Sequence, residues 1–516
     1  MTNLKLQPID RTALGLIAVL AIAIGLLILG GDRSVPSVRE FSWQARQVSA
    51  TDRAFVLNFT RPMDRTSVER NLEVNPPLKG KPSWAGQRMV YTLDLPAPYG
   101  FEFEVKLAGA QDRFAAEAGS NTTISPFLGK FRSRDRAFAY ISLDSEQAGR
   151  LTVYNMGTDQ KTVLTPPDLE VIDYRMYPRG DRILFSAIAR EGNEKGLLDA
   201  QLYTVTTGIE PYSPGEKAPR PKPAGQVRRV LDNREYQNLQ FDLSPDGKLI
   251  VIQRVNRNNP KRNSELWTIT EGGKPQVLNS APGGVFAIAP NSQELAIAQG
   301  QGVAILPLTE RSGDASKPLG FFPEYSKVFG FTRDGSAAVM VKYNPDFTES
   351  LYLVPSQGEH RELYRSPGSI LSASFDPTGR RLYCLMADVV KETVQETAQQ
   401  NVRIKEGSEV TKEIPYIALI DLESGKLKRL LKFAAPGLDV QVSVSPDGRA
   451  LMFDQLQTAE LSPGRDANTN RLKNSSGDSI VSGRLWLLLP LISDDPAIDP
   501  EPQDLPIVGF LPRWLP

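Results

Sequence analysis

The chain begins with one long apolar run and then settles into short alternating segments. No charge occurs from Thr12 to Gly31, and apolar residues continue from Ala13 through Leu29. At about 1.5 Å per residue, a helix over 13–31 rises roughly 28 Å, near the hydrocarbon thickness of a bilayer. Residues 13–31 are therefore predicted to be a transmembrane helix behind a short tail, 1–12. A cleaved signal peptide is the rival reading, but its apolar core usually runs only about 7–15 residues. Leu29-Gly30-Gly31-Asp32 is also a poor cleavage site, and no cysteine follows for a lipid anchor. Positive charge is nearly balanced across the span, with Lys5 and Arg11 before it and Arg33, Arg39 and Arg46 after it. The short tail ahead of a large body points to a body outside the cytoplasm.

Beyond the linker 32–37 the period changes from helical to strand-like. Phe55-Val56-Leu57-Asn58-Phe59 alternates, and Arg61-Pro62-Met63-Asp64 then breaks the pattern. Alternation returns in Met89–Leu93 and in Phe101–Leu107. A segment of this rhythm over 38–133 has the size of an immunoglobulin-like β-sandwich.

From about 136 onward the chain repeats itself. A hydrophobic strand, a turn and a second hydrophobic strand recur around six phrases: Tyr177-Pro178-Arg179-Gly180, Ser244-Pro245-Asp246-Gly247, Ala289-Pro290-Asn291-Ser292, Thr332-Arg333-Asp334-Gly335, Asp376-Pro377-Thr378-Gly379 and Ser445-Pro446-Asp447-Gly448. Their spacings are 67, 45, 43, 44 and 69, a unit of about 44 residues with two enlarged copies. Proline sets the first corner, Asp or Asn suits the second, and glycine takes the left-handed position that closes the hairpin. Flanking strands such as Leu249–Ile252 and Leu295–Ala298 are apolar on both faces, as a strand held between two sheets requires.

A further strand recurs seven times, at 151–154, 202–205, 266–269, 303–306, 351–354, 417–420 and 485–488. Four strands per unit, repeated, predict a β-propeller over 136–516, with an acidic, Pro-rich segment at 493–506. Seven of these strands against six hairpin phrases implies that the first unit, beginning near Phe138, lacks its opening strand. Ile507–Phe510 is the candidate to close the ring from the other terminus. Seven blades is the count expected, and six or eight also fit the spacing.

Two family resemblances lie in these residues. Phe59–Asp64, Ser67-Val68, Pro76, Trp84-Ala85-Gly86 and Leu107–Asp112 resemble bacterial Ig-like domains of the SbsA type, which implies an envelope spacer without a catalytic set. The Pro-Asp-Gly hairpins resemble TolB-like and WD-repeat-like propellers across roughly 136–490, a resemblance specific for fold and not for function. The fold class expected is thus all-β: a single N-terminal transmembrane helix, an Ig-like sandwich and a propeller.

Composition narrows the chemistry. Sixty basic and sixty acidic side chains give no net charge, so no global field recruits nucleic acid. One cysteine cannot form an internal disulfide, and one histidine excludes every mechanism that needs two. His360 lies in a turn, with no Gly-x-Ser-x-Gly elbow anywhere to partner it. Cys384 lies mid-strand among apolar neighbours and reads as a buried, inert thiol. The acidic run Asp494, Asp495, Asp499, Glu501 and Asp504 lacks the spacing of a calcium loop and reads as a solvated linker. Val389, Val390 and Val394 suggest a short helix within 388–399. No catalytic, cofactor-binding or metal-binding residue is assigned, and no cofactor is expected.

The informative feature is where the insertions fall. Connections between the second and third strands are long at 189–200, 254–264, 342–349, 386–414 and 455–482, and all such connections leave one face of a propeller. The candidate partner-binding residues there are Arg254, Arg257, Lys261 and Arg262 in one loop and Tyr343 and Phe347 in another. The expectation is a non-enzymatic interaction or scaffold protein, single-pass in a bacterial inner membrane with its bulk extracytoplasmic. It would bind an unidentified envelope protein or glycan through the loop-rich face. The alternative is a propeller lyase or hydrolase using carboxylate, Arg and Tyr side chains in the central funnel.

Overall fold

A computed structural model describes residues 8–30, 35–113, 122–190, 197–209, 222–259, 264–278, 284–300, 302–308, 318–393, 409–434, 439–459, 472, 479–489, 491 and 499–516. Among the described residues the architecture is all-β apart chiefly from helix α1 (Pro8–Gly30), helix α2 (Arg65–Asn71) and one short 3-10 turn. The expectation of a transmembrane helix is corrected. Among the described residues, no helix is long and apolar enough to cross a membrane. Asp10 and Arg11 occupy the first turn of α1.

The chain divides into two units. Unit 1 comprises Met1–Gln44, Ala54–Thr92 and Phe103–Lys130; unit 2 comprises Ala45–Arg53, Leu93–Glu102 and Phe131–Pro516. In unit 1, one sheet runs Val38–Phe41, Ala54–Phe59, Arg88–Leu93, Gly80–Ala85 in spatial order, and a second joins Phe127–Ser133, Glu102–Leu107 and Leu72–Asn75. The alternation read from the sequence is the burial pattern: Phe55, Leu57 and Phe59 point inward from one strand, and Phe103, Val105 and Leu107 from another. Helix α2 was not expected. Asp64 caps α2, its carboxylate accepting from the Ser67 amide at 2.6 Å.

Unit 2 is a propeller-like set of sheets. Five are four-stranded: Leu169–Met176, Arg182–Ala189, Gln201–Thr206, Val227–Leu231 (blade two); Tyr236–Leu243, Leu249–Asn256, Glu265–Thr270, Gln276–Val277 (blade three); Phe286–Ile288, Glu294–Ala298, Val303–Pro307, Gly320–Phe322 (blade four); Lys327–Phe331, Ala337–Tyr343, Glu349–Pro355, Arg361–Ser366 (blade five); and Ile370–Phe375, Arg381–Thr393, Glu409–Asp421, Leu427–Lys432 (blade six). The sixth sheet has seven strands because Glu501–Trp514 belongs to two blades at once. Its first half pairs with Ser479–Leu489 as the outer strand of blade seven, outside Leu451–Ala459 and Val442–Val444. Its second half pairs with Ala137–Ser142, with Phe510 opposite Ile141 and Trp514 opposite Phe138, and so becomes the inner strand of blade one. Leu151–Asn155 and Gln160–Val163 complete that blade.

The packing follows from this order. Second strands are buried on both faces, as in Ala137–Ser142 and Ala337–Val341. Successive blades share hydrophobic clusters all the way round. One joins blades one and two through Ile141, Val153, Phe185 and Val205. Another joins blades seven and one through Phe138, Tyr140, Met452, Leu485, Ile507 and Trp514. Each hairpin phrase turns through a residue with positive φ, between 70° and 73° at Gly180, Gly247, Gly335, Gly379 and Gly448, and 58° at Ser292 where glycine is missing.

Two local expectations change. Residues 388–393 continue the strand Arg381–Thr393, with Val389 opposite Glu413 and Val390 opposite Lys412, so no helix forms there. β-Branched residues with a partner strand available favour extended backbone; 394–399 lie outside the described residues. The acidic segment is not all linker, because Glu501 and Asp504 belong to the closing strand. Its prolines are tolerated there because it is the outer strand of its blade.

Candidate functional site

In blades two to seven the inner strand runs toward its hairpin phrase, so hairpins lie at one end of the central channel and second-to-third-strand connections at the other. Of the residues expected to bind a partner, Arg254 and Arg257 are engaged within the chain. Arg254 is only 5% exposed. Its guanidinium lies between the rings of Tyr236 (4.5 Å) and Trp267 (4.9 Å), and its Nε donates to Asn238 Oδ1 at 3.1 Å. Arg257 donates to Asn233 O at 2.8 Å and to Leu198 O at 3.1 Å, and pairs with Asp199 at 2.5 Å. Lys261 and Arg262 lie outside the described residues, as do much of 386–414 and 455–482.

The connection 342–349 is described throughout. Tyr343 is 52% exposed and Phe347 94% exposed. Phe347 takes φ 63°, an outlier for a bulky side chain. It is held there by a closed turn in which Phe347 N donates to Asn344 O (3.0 Å) and Asn344 N to Thr348 O (2.9 Å). Asp346 braces the turn against Arg365 at 2.6 Å.

The channel holds charged residues that the sequence reading did not single out. Arg175, on the inner strand of blade two, lies 2.8 Å from Asp173 and 3.2 Å from Asp242 of blade three, and Arg513 of blade one reaches Asp173 at 3.2 Å. The side chains of all four keep 21–33% exposure, facing the channel. Burial alone would raise the Asp173 carboxyl, but Arg175 and Arg513 hold it below the usual carboxylate range. Burial, together with the neighbouring Arg175, lowers the Arg513 guanidinium. Beside them a cavity of about 780 Å³ is lined by Arg175, Lys327, Arg513, Gln441, Ser372 and Ser374 among others.

Behind the channel wall, Asp454 is fully buried and accepts from the amides of Gln441 (2.6 Å) and Leu511 (2.7 Å). Burial pushes its carboxyl up to about 7 against the pull of those amides. Leu511 is on the closing strand, so Asp454 joins that strand to the segment before Val442. Tyr174 adds a second tie, its hydroxyl facing Ala139 O at 2.7 Å and Leu511 O at 2.5 Å.

At the hairpin end, a cavity of about 860 Å³ is lined partly by Asp52, Tyr99, Arg134, Arg333 and Asp376, all within unit 2. Tyr99 N donates to Asp447 Oδ2 at 3.0 Å, its hydroxyl accepts from Ala50 N at 2.9 Å, and Arg333 donates to Ala50 O at 3.2 Å. His360 sits at an exposed turn, its Nδ1 2.8 Å from the Tyr325 hydroxyl and 3.4 Å from Glu324. Cys384 is buried within blade six, which pushes its thiol up.

The channel residues left one signal in the sequence. Arg175, Asp242, Ser374 and Ser443 each stand three residues before the proline of a hairpin phrase, and Arg513 stands three before Pro516. That position in the repeat faces the channel.

No family model matches the chain. No curated protein matches it either. Among solved structures it is similar to TolB from Acinetobacter baumannii, at 11% identity over 86% of this chain and 83% of that one, TM-score 0.38. It is similar to an oligogalacturonate lyase in complex with manganese, at 13% identity over 59% and 79%, TM-score 0.40. It is also similar to a periplasmic gluconolactonase from Pseudomonas aeruginosa, at 12% identity over 74% and 99%, TM-score 0.41. These values report a likeness of fold and nothing about activity.

Proposed function

We propose that the protein is a binding module that engages a macromolecular partner through the face carrying the second-to-third-strand connections. The observation that carries this reading is the 342–349 connection. It presents Tyr343 and Phe347 outward together, with Phe347 almost wholly exposed and held at a positive φ. Holding a bulky residue in that conformation costs about 1–2 kcal/mol, which a connection of this kind has no packing reason to bear. An exposed aromatic on a closed turn loses little conformational entropy on binding, which suits an anchor residue. Arg254 and Arg257 support this face from within by bracing blade three.

A photo-crosslinking amino acid at position 347, compared with one at Glu359 in the third-to-fourth-strand turn at the opposite end of the same blade, tests this. Adducts from 347 and none from 359 are expected in the native host. Adducts from 359 alone would move the binding surface to the hairpin end.

A further inference from the structure

The 780 Å³ channel cavity has a charge composition that points to a ligand. Its lining includes three cations, Arg175, Lys327 and Arg513, from three different blades, and no carboxylate. The two guanidiniums are matched by Asp173 and Asp242, which stand behind them. Lys327 has no such match. Among the described residues its ammonium meets no carboxylate within ion-pair distance, and its neighbour is the Phe329 ring at 5.3 Å. A ligand anion entering the chamber would meet a cationic wall, with Lys327 the group left to pair with it.

The neutral polar residues of the lining are Ser372, Ser374, Gln441 and Ser443, among apolar neighbours such as Phe286 and Leu371. The volume suits a small organic molecule and exceeds what an inorganic ion fills. The cavity runs the length of the inner strands, from Val285, Lys327 and Gln441 at or before their starts to Met176, Phe375, Val444 and Trp514 at their ends.

We propose that this chamber binds a small hydroxylated organic anion, a carboxylate or a phosphate ester, with Lys327 as the principal counter-charge and Arg513 as the second. Arg175, matched by two aspartates, holds the wall in place. The proposal does not depend on the partner surface at Phe347.

Calorimetric titration and thermal melts of the full chain test it, with gluconate and glucose 6-phosphate as anionic probes and glucose as the neutral control. One anion or both should bind with one-to-one stoichiometry and raise the melting temperature, while glucose does neither. Gluconate alone would identify a carboxylate ligand; glucose 6-phosphate alone would identify a phosphate ester. Lys327→Met keeps the side-chain stem against Phe329 and should weaken anion binding about tenfold or more without lowering the melt. Lys248→Met, at an exposed hairpin lysine, should bind as the parent does. Failure of both anions to bind overturns the proposal, as does equal binding of glucose or parental affinity in Lys327→Met.

Discussion

Replacing Trp514 by alanine tests the closure of the ring by its own C-terminal strand. Trp514 is 6% exposed, stacks edge-on to Phe138 with centroids 5.8 Å apart, and donates from Nε1 to Ser443 O at 3.1 Å. It therefore touches blade one through Phe138 and blade seven through Ser443. Truncating a buried tryptophan to alanine costs about 3–5 kcal/mol. Unfolding entropy near 2.1 cal/mol/K per residue, over the about 400 residues of unit 2, gives about 0.8 kcal/mol per degree. A loss of about 4 kcal/mol then lowers the melting temperature by about 5 °C. Deleting Gly509–Pro516 goes further. It removes Phe510, Trp514 and Leu515 from the core, at about 1.5–3 kcal/mol each, and exposes the edge of Ala137–Ser142. That loss approaches the whole stability of an ordinary domain, about 5–15 kcal/mol, so the truncated chain should aggregate. Differential scanning fluorimetry measures the melt, and hydrogen exchange reads protection of the Ala137–Ser142 amides. A Trp514→Ala protein that melts within about 1 °C of the parent, with those amides equally protected, would refute closure by this strand.

Three other outcomes follow from the same contacts. The Asp454 carboxyl has a folded value of about 7, above its unfolded value near 4, so the native state keeps a proton that the unfolded chain releases. Stability should fall as pH rises from about 4 through 7, by a few kcal/mol, and Asp454→Asn should flatten that slope in urea melts. Phe347→Gly places at φ 63° the residue that tolerates it, so the melt should hold or rise slightly while partner adducts formed at Tyr343 fall; full retention of those adducts would remove Phe347 from the interface. Arg254→Met loses a hydrogen bond from a charged donor and two ring contacts, and should destabilise by about 1–3 kcal/mol without altering adduct formation at 347; an unchanged melt would show that Arg254 does not brace blade three.

Much of the fold was legible because its signals are local. A Pro-Asp-Gly turn needs only four residues to specify its geometry, and a strand between two sheets shows its burial as an apolar run. The third strands and hairpin phrases therefore appear at their places in the blades, and the shortfall of one opening strand pointed to 507–510 before any pairing was known. Read locally, the valines at 389–394 suggested a helix; the pairing of Arg381–Thr393 with Glu409–Asp421 carried the strand outward instead. The apolar run near the N-terminus promised a span, and the structure does not supply one among its described residues.

What only tertiary structure decided is which charges share a space. Asp173 and Arg513 are 340 residues apart in the chain and 3.2 Å apart in the channel. Lys327 is one lysine among sixty basic residues until three blades place it in a chamber with no carboxylate in its wall. Likewise Arg254 resembles any loop arginine in sequence, and only the approach of Tyr236 and Trp267 from neighbouring strands makes it part of the core. Backbone turns and burial are set by a few adjacent residues, so sequence alone determined them. Electrostatic environment is a sum over everything nearby, so it did not exist until the ring had closed.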